Sequence, residues 1–586
     1  MIYFVCIFIY LMILAGIGIV KSRQVKSQDD FAVAGRSLSP WVMVCTMLSV
    51  WIGTGSIVGN AEKTYQTGMA ALILPIGSMC GMILLALIAS KARNIEATTV
   101  PEIIGRRFGV QARILAVISL TIAYMVIVSY QFNAGGAVIE VITGNKTPVA
   151  INNDTSVTGW QLSKGRVVYS SLEDQEQVVQ LSFVPADADA EPFTFTVEVL
   201  SADKIVSGLA PVKKDNYKRI KQGHYTRIIP KVNLQSGAVY HVVNLPEIGQ
   251  LNIVEPKITA KTATIIAAIF IVGFTMLAGL KSLASMDILT GSIILLSMLI
   301  AVPICLYKAG GFEGMQHAFT AMGDRTEHMK YWGVYSPVQI INFLLPTFLL
   351  ILGDANMYQR IFASRSAKGA KTAVTFMIFA SFFIESMIIA CAWIASSMTP
   401  DPENGKYILI YMARNYLPLA LGCLFMVTVV GIIISTANSF LLVPATTFMK
   451  DIYMNHINPK AKEKHIIFLS RLMVVIFGVI AYIVSMAFSK STGFFEKALF
   501  AFTIYGASIT PSLVAALVWP KATKAGAITS ILSGTAVALL WGQLKLPESI
   551  SDLDAVLPAI LISVLSLVVV SLLTYKPDIQ ESVAAE

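Results

Sequence analysis

Three carboxylates stand where a charge is costly: Asp287 in Ser285-Met286-Asp287-Ile288-Leu289, Asp354 in Ile351-Leu352-Gly353-Asp354, and Glu385 in Phe383-Ile384-Glu385-Ser386-Met387. An acid within an apolar run of this length pairs with a neighbouring element or serves a polar cargo. Glu385 is the deepest in its run, and an inter-helix contact and a solute contact are equally open for it. Asp287 and Asp354 lie near the ends of theirs, where snorkelling to an interface competes. A second polar cluster, Ser435-Thr436-Ala437-Asn438-Ser439, is flanked by Val427 to Ile434 and Phe440 to Val443. Its hydroxyls either bond back one helical turn or, set against loosened carbonyls, make the oxygen shell that an alkali cation needs. Loosened backbone is offered by Gly53-Thr54-Gly55-Ser56 and by Pro346-Thr347 with Gly353-Asp354, because glycine relaxes the helix and proline removes a donor. One such break is more often a packing glycine or a kink. Two of them five helices apart fit the paired discontinuous helices of a transporter.

That chemistry is ion and solute binding. No nucleophile–base pair and no Cys or His metal cluster shares one depth, the six His fall in loops, at a helix start or in a polar insert, and no GxxxxGK[ST] phosphate loop occurs. The expectation is no enzyme, no organic cofactor and no ATP-driven motor, so any coupling must come from an ion gradient.

The elements that would position these residues are membrane spans. Over 586 residues the chain is 55% hydrophobic and 13% charged, against about 25% charged in a soluble domain. Thirteen apolar stretches approach the ~20 residues that cross a bilayer: 2–20, 41–60, 69–90, 112–142, 263–280, 285–308, 337–357, 372–398, 417–448, 465–488, 494–518, 524–542 and 554–574. The first has no basic start and no small-residue cleavage site, so it reads as an uncleaved helix. With the N-terminus outside, 22 of the 44 Lys and Arg fall in short inner loops and 9 in short outer ones, the other 13 lying in or beside the insert. This predicts N-out and C-in, and it makes the net charge of +9 a topology signal and not a nucleic-acid patch. Residues 143–258 contain no span. Their β-branched runs, Val178 to Phe183 and Phe193 to Val199 among them, separated by Asp, Gly and Pro turns, predict a β-rich domain outside the membrane. The expected organisation is 1–142 (spans 1–4), 143–258 (insert) and 259–586 (spans 5–13).

Four further stretches carry a resemblance. Asp30-Phe31-Ala32-Val33-Ala34-Gly35-Arg36-Ser37-Leu38, Thr99-Val100-Pro101-Glu102-Ile103-Ile104-Gly105-Arg106-Arg107-Phe108-Gly109, Gln359-Arg360-Ile361-Phe362-Ala363-Ser364-Arg365-Ser366 and Asp451-Ile452-Tyr453, in this order, resemble the sodium:solute symporter family across all thirteen spans. The insert departs from the family pattern. The resemblance implies a LeuT-like fold in which spans 2–6 and 7–11 are inverted five-helix repeats. It implies a sodium site of Ser49, Ile52, Ile432, Ser435 and Thr436, and a cation-coupling role for Asp287. It also implies a solute site between spans 2, 4, 7 and 11, with Ser56, Gln131, Thr347, Tyr505 and Ser508 as lining residues. The implied function is sodium-coupled import of a small organic solute, an amino acid such as proline or a quaternary amine such as choline, by alternating access in a cell membrane. The partners are then sodium, the solute and the lipid bilayer, with oligomeric state unspecified. The rival expectation is a solute sensor that keeps the transporter fold and uses the insert for recognition.

Overall fold

The computed structural model describes residues 2–22, 25, 27–139, 262–276, 279–322, 325–398, 405–487, 493–544 and 553–576 to the side chain. Thirteen helices make the body: α1 (Ile2–Ser22), α2 (Pro40–Trp51), α3 (Pro75–Asn94), α4 (Val110–Thr143), α5 (Ala260–Leu277), α6 (Leu280–Lys308), α7 (Pro337–Gly353), α8 (Ala367–Met398), α9 (Leu419–Phe448), α10 (Glu463–Ala487), α11 (Phe494–Ser508), α12 (Lys524–Leu540) and α13 (Val556–Thr574). Their starts are written locally. Pro40, Pro75 and Pro337 occupy first turns, Ser336 forms a capping box with Gln339, and the Thr523 hydroxyl accepts the Gly526 N–H at 3.2 Å. Small residues let the last pair close: Gly526, Ser530 and Gly534 recur every four residues on α12, and Ser530 bonds Ser563 of α13 at 2.8 Å.

The expected fold class needs two corrections. Among the described residues eleven helices are long and apolar enough to cross a membrane, or twelve when the bent pair Pro40–Trp51 and Gly55–Ile73 counts as one span, and not thirteen. The fifth expected span is the one outside that count: Thr262–Met276 is the described part of the 18-residue helix Ala260–Leu277. The second correction concerns the inserted β-rich domain. The body described to the side chain is helical, and its only strand-like contact is the isolated bridge between Leu38 and Ser364. Within 143–258 the structure gives short backbone pairings, such as Asn145–Ala150 against Gly249–Glu255, but the side chains there lie outside the described residues and no β layer packs on the body among those described. Strand propensity reports an extended backbone, whereas a domain requires a shared buried face.

The four motifs meet in pairs at the basic end of the bundle. Leu38 N–H donates to Ala363 O at 3.0 Å and Arg365 N–H to Leu38 O at 3.1 Å, joining the first motif to the third. Thr99 donates to Asp451 at 2.6 Å and Arg113 pairs with the same buried carboxylate at 2.5 Å, joining the second to the fourth.

Both interrupted helices are present, with different anatomy. α2 stops at Trp51; Ile52 leaves helical geometry at ψ 85, and the chain resumes at Gly55 bent by 55°. A Cβ on Gly53 would stand 2.8 Å from Thr436 Cγ2, so the bare glycine is what lets α9 approach the break. In α7, Pro346 sits within continuous helix and interrupts nothing. The break comes at Asp354 (ψ 115), before a short helix, Ala355–Ala363. There Thr510 Oγ1 donates to the Leu349 carbonyl at 2.8 Å, tying the helix end to the element that follows α11.

Candidate functional site

The break in α2 opens on a cavity walled by Trp51 and Ser56 from the first half-repeat, Gln131 from α4, Phe343 and Thr347 from α7, Glu385 from α8, and Phe495 and Phe502 from α11, with Thr436 of α9 at its edge. Its walls are aromatic: Trp51 stacks with Phe502 at 6.5 Å, and Phe343 meets Phe495 edge-on at 5.3 Å. Its polar groups are few, as in small-molecule sites generally. Thr347 is satisfied by the Leu344 carbonyl at 2.9 Å. Gln131 accepts the Thr54 hydroxyl through Oε1 and leaves its buried Nε2 without a partner. Glu385 accepts the Trp51 indole N–H at 2.7 Å.

On the other side of the break, Thr436 Oγ1 lies 3.3 Å from the Ser49 carbonyl and 3.4 Å from those of Val50 and Ile52. Oxygens about 2.4 Å from a cation of calcium or sodium size stand about 3.4 Å apart when their directions are at right angles, so this cluster has the spacing of a coordination shell. Ser435 turns away from it and donates to Asp287 Oδ1 at 2.5 Å. Thr46 also donates to Asp287, and the Ser49 hydroxyl donates to the Asp287 carbonyl at 3.0 Å. Ile432 lies buried on the same helix, one turn before Thr436. Asp287 is therefore wired to both helices of the cluster, and from Thr46 the network continues to Arg360 Nε at 3.3 Å.

Arg360 is fully buried. Its guanidinium donates to Ser439 at 2.8 Å and to the Asn356 carbonyl at 3.2 Å. Next to it, Asp354 caps the Ala355–Ala363 helix through the Asn356 N–H at 3.1 Å and takes the Tyr124 hydroxyl. Tyr505 donates to Gly353 O at 2.8 Å and stacks on Tyr124 at 5.4 Å. The second break is thus packed with polar side chains and rings.

Of the residues expected to line the solute site, Ser56, Gln131 and Thr347 border the cavity. Tyr505 and Ser508 do not; Tyr505 belongs to the second break and Ser508 bonds back to Ile504 O at 2.7 Å. Of the three acids, Glu385 borders the cavity, while Asp287 and Asp354 are buried in the network and do not snorkel. Sequence reasoning passed over Trp51, Phe343, Phe495 and Phe502, which in a span look like lipid-facing or core residues. It also passed over Thr46, and it gave no site role to Arg360, which lies within a family motif, or to Ser439, which lies within the polar cluster.

Residues 31–158 and 257–534 match the Sodium:solute symporter family. The chain belongs to this family. Its relatives are transporters, not enzymes. The high-affinity proline transporter PutP of Bacillus subtilis (strain 168) is 26% identical over 320 residues, which are 53% of this chain and 64% of that protein. The osmoregulated proline transporter OpuE of the same strain is 22% identical over 314 residues, 52% and 62% of the two. A sodium/proline symporter of Staphylococcus aureus is 24% identical over 329, 53% and 62%. This symporter-family chain therefore spans less than two thirds of the length of these relatives. A solved structure of a Na+-coupled sialic acid symporter, in a substrate-bound outward-open state, is similar in fold, with TM-score 0.67 and 13% identity over 98% of both chains. That coverage makes the helical body the shared fold, in line with the correction that removes a separate β-rich domain. A nucleobase-cation-symport-1 family transporter follows at TM-score 0.50 and 11% identity.

Proposed function

We propose that this family member is a sodium-coupled symporter that imports a small organic solute by alternating access. The observation that carries the reading is the convergence of Thr436 Oγ1 with the carbonyls of Ser49, Val50 and Ile52, because Thr436 also borders the solute cavity. Sodium at this cluster ties the α2 break to α9 and fixes the backbone that frames the solute. A cation and a solute that share one loosened segment raise each other's affinity, typically by ~1–3 kcal/mol. Ser435 and Ile432 complete the cation site when Ser435 exchanges Asp287 for the ion, and Asp287 then transmits the change toward Arg360 and the second break. That break is the inner seal, and its release would empty the cavity inward. The orientation is N-out and C-in, on the strength of the basic inner loops.

For the solute, the similarity to proline transporters favours an amino acid such as proline, and a quaternary amine such as choline suits the aromatic wall equally well. The test is uptake by purified protein in proteoliposomes, driven by an inward sodium gradient and compared with potassium, over amino acids, quaternary amines, sugars and carboxylates. Accumulation of a solute only in sodium is the expected result. Sodium-dependent binding without accumulation of any solute would overturn transport and favour a sensor.

A further inference from the structure

Glu385 is a buried carboxylate, 3% exposed, on the wall of the cavity. An ionised carboxylate has about four acceptor sites, yet only the Trp51 indole N–H fills one firmly, at 2.7 Å. Ser56 and Ser78 stand at 3.4 and 3.5 Å, and the Ser78 proton has a nearer acceptor in Pro75 O at 2.9 Å. No Lys, Arg or His forms an ion pair with Glu385 among the described residues. Around it the wall is Trp51, Phe502, Phe343 and Phe495, whose ring faces attract cations. That wall already holds one ammonium: Lys63 Nζ lies 4.9 Å from the Phe343 ring centre. Bordering the same cavity, Gln131 Nε2 is a buried donor with nothing to bind. The cavity lining therefore combines an acceptor with spare capacity, aromatic rings and an unused donor.

Resting on the symporter reading above, we propose that Glu385 is the specificity residue for a positively charged nitrogen and that the Gln131 amide N–H takes a carboxylate, so that the solute class is a zwitterionic amino acid. Neutral sugars and plain carboxylates leave Glu385 buried without a counter-charge, which is costly.

The test uses the full chain in detergent, with thermal stability followed in sodium and in potassium. The panel is the amino acids, glycine betaine, D-glucose, and matched acids in which oxygen replaces the amine, tetrahydrofuran-2-carboxylate for proline and lactate for alanine. The expected result is a sodium-dependent shift for an amino acid and affinity lower by about 100-fold for its oxygen analogue. Glu385→Gln keeps the shape and the Trp51 hydrogen bond, so it should retain the shift from sodium alone and lose about 100-fold for the amino acid. A best ligand without a cationic nitrogen, or wild-type affinity and discrimination in Glu385→Gln, would overturn the assignment while leaving sodium coupling intact. If Glu385→Gln does not fold, the wild-type comparison of each amino acid with its oxygen analogue decides alone, equal binding being the negative result. No sodium-dependent shift with any compound would overturn the symporter reading itself.

Discussion

At the break in α2, Gly53 and Gly55 bring bare backbone against Thr436 on one side and a cavity on the other, and Gln131 keeps an amide N–H in reserve. At the break after α7, an interruption with one glycine, Gly353, is filled by Tyr124, Tyr505 and Arg360, with Asp354 capping the helix that follows. Both hold buried polar atoms without partners, Gln131 Nε2 at the first and Asp354 Oδ2 and Asn356 Nδ2 at the second. The first borders the cavity. The two interruptions thus differ in what packs against them, the Thr436 hydroxyl and a cavity at the first, Tyr124, Tyr505 and Arg360 at the second.

Four changes sharpen this contrast. The largest effect belongs to the first break: Ser435→Ala with Thr436→Ala should raise the sodium concentration for half-maximal stabilisation by about 100-fold, each lost charge-binding oxygen being worth ~1.5–3 kcal/mol, with little change of melting temperature in potassium. Unaltered sodium dependence would place the cation elsewhere. At the second break, Tyr124→Phe removes one of the few donors to a buried carboxylate and should lower stability by about 1–3 kcal/mol while leaving sodium half-saturation alone. A sodium shift there as large as in the double hydroxyl variant would erase the distinction between site and seal.

Gly53→Ala should cost about 1–2 kcal/mol by crowding Thr436 and should weaken sodium binding roughly 10-fold, since the methyl group pushes the hydroxyl off its carbonyls; titration of thermal stability against sodium reads both. The smallest effect falls at the basic end, away from both breaks. Burial alone would raise the Glu102 carboxyl, but the Thr98 N–H and the Arg106 guanidinium outweigh it and hold it below its ordinary value. A depressed carboxylate stabilises the fold above its unfolded pKa, about 4.3, and that contribution is lost as pH falls through the lower folded value. Because Arg106 is half exposed, Glu102→Gln should cost no more than about 1 kcal/mol at pH 7, with the gap to wild type closing below about pH 4. A gap that widened in acid would contradict the sign.

The motifs and the chemistry occupy different parts of the molecule. The four stretches that made the family legible lie at the basic end, where Asp451 holds Thr99 and Arg113 and the Leu38 backbone pairs with Ala363 and Arg365. They knit helix ends together, and their residue types follow from local caps and ion pairs, which is why they read clearly. The cavity has no such motif. Its aromatic wall is assembled from α2, α7 and α11, and no spacing within one helix could indicate that Trp51, Phe343 and Phe502 face one another.

By itself the sequence determined a helical membrane body, the two polar interruptions at Gly53–Gly55 and Gly353–Asp354, and the hydroxyl pair Ser435 and Thr436, because hydrophobic length, glycine and a hydroxyl in an apolar run are local quantities. It read strand propensity at 143–258 as a domain. Only the tertiary structure decided that Thr436 meets the α2 carbonyls while Ser435 serves Asp287, that Tyr505 packs at the second break, bonded to Gly353 O, and that Glu385 borders the cavity. Each of these depends on which helices pack across a break, and a buried polar group takes its role from its partner, which the chain names only once it has folded.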